Sequence, residues 1–219
     1  FRRVLFRSDL SPENFMTLVI GVDTAFKKTE SADYSVAVVA GVDRNGDIYI
    51  VDIIRGKYDF PELKARMIRL NNQWRGKGLR GLYIEDKASG QSLIQELKRE
   101  SGISVIPYKV NNDKVARVNS ILPLIEGGRV YIPEESSWLD EFIDESISFP
   151  NGNHDDQVDA LTIAVDVLSR TSVSPDAWEM HSNPMLSLNN NQKDMGKSLT
   201  QQVWGKKAKG SWKGWGLVE

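Results

Sequence analysis

Three groups of acidic residues stand where an apolar run ends or begins. Asp23 closes the run TLVIGVD, Glu85 and Asp86 close GLYIED, and Asp155 and Asp156 open a long apolar segment, with Asp159 one turn further on. A carboxylate at the edge of a buried strand is costly unless it is paired or bound to a cation. Carboxylates gathered at one point repel, and each pKa rises; divalent cations resolve that conflict. The chain has no cysteine and only two histidines, His154 and His181. That excludes a disulfide scaffold, a Cys-ligated zinc site and a cysteine nucleophile. Ligation by oxygen alone suits Mg²⁺ or Mn²⁺. Each group also has a plainer reading. Asp155 and Asp156 could cap a helix, Asp23 could be a strand-end turn residue, Asp159 reads as a surface or salt-bridge residue, and His154 as a shaper of the turn.

These acids need elements that bring them together. The 219 residues, with 28 Lys+Arg against 30 Asp+Glu, allow one sizeable domain, or one domain and a tail. Apolar runs predict strands over 17–23, 34–42 and 47–54, the last two joined by the turn Asp43-Arg44-Asn45-Gly46, so the three form a meander. From Pro61 the period changes: Leu63, Met67, Leu70 and Trp74 fall at helical spacing. A strand over 81–85, a helix over 91–100, a strand over 103–107 and a helix over 114–126 follow. RVYI at 129–132 adds an edge strand, and helices cover 138–147 and 155–168. This order makes an α/β mixed sheet with helices on both faces. A right-handed crossover sets the 17–23 strand beside the 81–85 strand at its centre. Domain boundaries fall at 16 and 170. Residues 1–15 read as a fragment edge or an added segment. Residues 171–219 read as a weakly ordered tail carrying Trp204, Trp212 and Trp215 among lysines. No apolar run reaches the ~20 residues that span a bilayer.

Four stretches in order, GVDTAFKKTESADYSV, YIEDKASG, DKVARVNSILPLIEGGRVYIP and HDDQVDALTIAV, resemble the C-terminal nuclease domain of tailed-bacteriophage large terminases. The resemblance runs from about Leu18 to Ser169. It implies a ribonuclease H-like fold and a metal-dependent endonuclease that cuts concatemeric viral double-stranded DNA by two-metal hydrolysis with Mg²⁺ or Mn²⁺. The family's first acid falls on Asp23 and its second on Glu85-Asp86. Glu85 is favoured because it follows the apolar run directly. The third falls on Asp155-Asp156, which the sequence does not separate. The resemblance further implies a portal protein, a small terminase subunit and an ATPase motor as partners, and action in the host cell cytoplasm during viral assembly, without secretion or membrane.

A phosphate loop needs G-x-x-x-x-G-K-[ST]. Gly196-Lys197-Ser198 supplies only its end, with Asn191 where the first glycine belongs, so no motor is expected in this chain. Lys87, Lys114 and Arg117 are the expected phosphate contacts, with Lys27, Lys28 and Lys109 nearby. The Trp/Lys tail reads as a DNA grip, a tether or a docking peptide. Two rival functions keep the same residues: a junction resolvase or transposase-like nuclease, and a non-catalytic DNA- or partner-binding module. An actin-like ATPase needs Gly-rich phosphate loops that the sequence lacks.

Overall fold

The structure, a computed structural model, describes residues 5–7, 14–25, 34–100, 102–110 and 113–171. Seven strands form one sheet: β1 (Leu5–Arg7), β2 (Thr17–Asp23), β3 (Ser35–Val42), β4 (Ile48–Gly56), β5 (Leu79–Glu85), β6 (Val105–Tyr108) and β7 (Val130–Pro133). Among the described residues five α-helices flank it: α1 (Phe60–Trp74), α2 (Ala88–Lys98), α3 (Lys114–Glu126), α4 (Leu139–Ser148) and α5 (Asp156–Thr171). The strand order is β1-β7-β4-β3-β2-β5-β6.

β2, β3 and β4 form the expected antiparallel meander. Its second turn is built by Asp43, whose Oδ1 accepts from the amides of Asn45 at 2.8 Å and Asp47 at 2.9 Å. Gly46 takes the left-handed conformation that the turn requires, at φ 79°. β5 lies parallel to β2 and β6 parallel to β5, so the expected adjacency of the first and fourth predicted strands holds. One expectation is corrected. The RVYI segment is not the sheet edge: β7 lies between β1 and β4 and runs parallel to both. The edge on that side belongs to Leu5–Arg7. Residues 172–219, with the Trp/Lys tail and His181, lie outside the described residues, as do Lys27 and Lys28.

Two apolar layers flank the sheet. On one face Leu18, Ile20, Val22, Leu82 and Ile84 pack against Leu63, Met67 and Leu70 of α1 and Leu93 and Leu97 of α2. On the other, Val19, Val36, Val38 and Tyr83 pack against α3, α4 and the almost wholly buried α5. The alternation of side chains along a strand sorts residues between these layers. Gly21 sets the spacing of the second layer. A Cβ there would stand 2.5 Å from Ala160 O and 2.8 Å from Ala164 N, so only a glycine lets α5 lie directly on β2. Among the described residues no helix is long and apolar enough to cross a membrane.

Candidate active site

The register of the sheet brings the first two acids together. Asp23 is the last residue of β2 and Glu85 the last of β5. The two strands pair in parallel up to Val22 and Ile84, so their next residues stand side by side at one end of the sheet. Both are buried, Asp23 to 7% exposure and Glu85 to 1%. Local bonds fix the β2 tip: the Thr24 amide donates to Asp23 Oδ1 at 3.0 Å, and the Thr24 hydroxyl donates to Ser89 Oγ at 3.0 Å. On the β5 side, the N-terminal turn of α2 closes over the strand end. A side chain on Gly90 would run into the Glu85 carbonyl oxygen.

α5 brings a further buried carboxylate, Asp159, to this end of the sheet. This residue is 2% exposed, not the surface residue that the sequence suggested, although the salt-bridge reading holds. Arg117 Nη2 donates to Asp159 Oδ1 at 3.0 Å, and Lys114 Nζ stands 2.9 Å from Asp159 Oδ2. Arg117 also reaches back to Glu85 Oε1 at 3.4 Å, and so ties the β5 acid to the α5 acid. Both cations sit in the first turn of α3, which Asp113 caps by accepting from the Ala116 amide at 2.9 Å. Lys114 Nζ also lies 2.5 Å from Asp155 Oδ2, and Lys87 Nζ 2.6 Å from Glu85 Oε2.

The other predicted acids stand differently. Asp155 is half-buried and joins the cluster through Lys114. Asp156 turns to another partner: its Oδ2 accepts from the Tyr34 amide at 3.3 Å and lies 3.9 Å from His154 Nδ1. The His154 ring meets the Tyr34 ring edge-on at 5.0 Å, in keeping with a turn-shaping role. Asp86 is half-buried and gives its amide to Tyr108 O; of the adjacent pair, Glu85 is the one whose carboxylate meets Asp23. The capping role weighed for Asp155 and Asp156 has a further player that the sequence reading did not single out. Glu145 of α4 accepts from the Gln157 amide at 2.6 Å and from its side-chain Nε2 at 2.8 Å.

Electrostatics follow from this crowding. Burial pushes Asp23 from 3.8 up to about 8; the hydrogen bond with Glu85 and the charges of Glu85 and Asp159 add to it, while Lys87 opposes it. Burial also raises Asp159, although Lys114 and Arg117 pull it down. Lys87 and Lys114 both stand above the ordinary lysine value. Burial lowers them, but hydrogen bonds and charges from the neighbouring acids outweigh it. Asp23 thus holds its proton well above the ordinary carboxylate range, in a buried pocket beside Glu85. An oxygen-ligated cation could replace that proton, so the pair fits a hard divalent ion. Among the described residues no three acidic or histidine side chains converge closely enough to hold one ion. Arg117 bridges Glu85 and Asp159, and Lys114 bridges Asp155 and Asp159.

A mixed sheet of this order, with helices on both faces and carboxylates at the tips of neighbouring parallel strands, defines a ribonuclease H-like domain with an acidic centre. The family model of the terminase RNase H-like domain matches residues 20–167, and the chain belongs to that family. The fold is similar to the large terminase nuclease of the thermophilic phage G20c, solved with bound zinc (24% identity, TM-score 0.55, covering 75% of this chain and 94% of that one). It is also similar to the human cytomegalovirus terminase nuclease domain soaked with manganese (14% identity, TM-score 0.54, covering 77% of this chain and 92% of that one). A third likeness is to the large terminase of another thermophilic bacteriophage, in complex with ADP (17% identity, TM-score 0.56), where 69% of this chain covers 39% of that one. At these identities the likenesses speak for the fold. No curated protein matches the sequence.

Proposed function

We propose that the domain is a divalent-metal-dependent endonuclease that cuts double-stranded DNA during viral genome packaging. The observation that carries this is the buried Asp23–Glu85 pair at the ends of two parallel strands, with Asp23 raised to about 8. A structural carboxylate is normally placed where its charge is tolerated; this pair is held where charge is penalised until a cation arrives. Asp23 and Glu85 would hold Mg²⁺ or Mn²⁺, with α5 supplying the third carboxylate from Asp159 or from Asp155 and Asp156 beside it. Two such ions would activate a water and stabilise the leaving oxygen of the scissile phosphate.

The chain's own residues do the rest. Asp23 and Glu85 aim their oxygens at one point from rigid strands. Lys87, Lys114 and Arg117, which pair with the acids, would be in reach of a phosphate lying over the same point. The dry walls of α2 and α5 strengthen every charge interaction there. In this reading residues 16–170 are the nuclease, with Leu5–Arg7 adding the edge strand of its sheet, and 171–219 a tail. The ATPase motor, the small terminase subunit and the portal protein are partners in the host cytoplasm, the motor being a separate domain. The likeness to a far longer, ADP-bound terminase supports a motor elsewhere.

Nicking of supercoiled plasmid tests the proposal. Wild-type protein should nick with Mn²⁺ or Mg²⁺ and not in EDTA, and Asp23→Asn should not nick under any condition. Wild-type rates in Asp23→Asn would sink it.

A further inference from the structure

On the face covered by α3 and α5, the sheet ends at β6. There a cleft of about 620 Å³ opens between β6, α3 and the C-terminal half of α5. Its wall carries four cationic side chains, Arg80, Lys109, Arg117 and Arg170, against one carboxylate, Asp166. The whole chain carries a net charge of −2, so this is a local concentration of positive charge. Asp166 is engaged already: Tyr108 Oη donates to its Oδ2 at 2.7 Å, and Arg170 Nη2 stands 2.8 Å from the same oxygen. Arg80 and Lys109 are exposed. Arg80 makes a single bond in the cleft, from Nη1 to Thr171 Oγ1 at 3.1 Å.

The cleft and the acidic cluster share Arg117. Tyr108 pairs with Glu85 across β5 and β6, so the cleft begins one strand spacing, ~4.8 Å, from the second acid. We propose that the cleft seats the sugar–phosphate backbone of one substrate strand, beside the phosphate that meets the acids. The proposal rests on the nuclease reading above and names where that substrate runs.

A metal ion is a poor occupant, because the cationic excess repels it. A lone anion needs far less space, whereas ~300–1,000 Å³ is the size of clefts that hold multi-ring ligands. Guanidinium and ammonium groups that face open space match phosphate oxygens. The Tyr108 hydroxyl is taken by Asp166. The groups left facing open space are cations, which suit the phosphates of a backbone. Arg80 and Lys109 supply the grip, and Arg117 passes the strand on to the acids.

Anisotropy of a fluorescent DNA duplex, in EDTA to prevent cleavage, tests this with the full chain. The double reversal Arg80→Glu with Lys109→Glu should weaken binding at least ~10-fold, and should lower the log–log salt slope by about 2. The same charge change on the opposite face, Arg69→Glu with Lys98→Glu on α1 and α2, should stay within about twofold. Circular dichroism and melting temperature check that both variants fold. Should the reversal unfold the chain, Arg80→Ala with Lys109→Ala reads the same salt slope. Equal binding by the two double variants overturns the proposal, as does a wild-type chain that does not bind DNA. Nicking by the wild type but not by Asp23→Asn, with equal binding by the double variants, would sink the cleft and spare the nuclease. Cleft-dependent binding without any nicking would do the reverse.

Discussion

Replacing Asp23 by Asn should stabilise the metal-free protein, and by more as pH rises. Burial and the bond to Glu85 hold Asp23 at about 8 in the folded state, against 3.8 for a free carboxyl. Above that lower value the unfolded chain gives up a proton that the folded chain keeps. The stability from this group is therefore full at acid pH and is lost as pH climbs through the interval to about 8. At about 1.36 kcal/mol per unit, the loss approaches ~5 kcal/mol at pH 8. Asn keeps the shape of the side chain, still accepts from the Thr24 amide and offers an N–H to Glu85, with no charge to desolvate. Urea unfolding in EDTA should show the variant more stable than wild type at pH 8, with a much smaller gain at pH 5. The melting temperature should rise by roughly 2–4 °C for each kcal/mol. Saturating Mn²⁺ should then close the gap by stabilising the wild type alone. A variant no more stable than wild type at pH 8, or a gain that shrinks with rising pH, refutes the reasoning.

Two further outcomes follow from the packing around the acids. Arg117→Ala leaves Glu85 and Asp159 without their shared guanidinium and should cost about 3–5 kcal/mol by urea unfolding; adding Glu85→Gln and Asp159→Asn should recover most of that loss. Gly21→Ala drives a methyl into the backbone of α5. It should cost about 1–3 kcal/mol and slow plasmid nicking beyond the loss of folded protein, read at a temperature where both proteins are fully folded.

Much of this architecture is legible in the residues alone, because strong periodicity marks it. The switch from alternating Val and Ile in the meander to the three-and-four spacing of Leu63, Met67 and Leu70 separates strand from helix without ambiguity. Asp23 and Glu85 are visible because each follows an apolar run that can only be a buried strand, and a crossover rule makes those strands neighbours. Asp159 is harder. It sits inside a helix where one acid among apolar residues looks like a solvent-facing position. Only the burial of α5 on every side, enforced by the close approach at Gly21, turns it into the cluster. Its spacing of four from Asp155 is the available signal, since both share Lys114. The place of β7 is not legible, because a four-residue strand carries too little pattern to say which neighbour it joins. Nor is the cleft beside β6, whose cations come from segments far apart in sequence and meet only through the sheet.

The acids and their partners are spread along the chain in the order β2, β5, α3, α5, and α5 is the last described element. It packs on β2 and β3, which precede it in the chain. A partly synthesised chain can therefore form the sheet's centre and still lack the carboxylate and the apolar wall that complete the pocket. Until α5 docks, Asp23 and Glu85 lie open to water on that side and lack the desolvation that sets their chemistry. The centre is thus assembled by docking a late helix onto strands that precede it, which withholds it from any domain that has not finished folding.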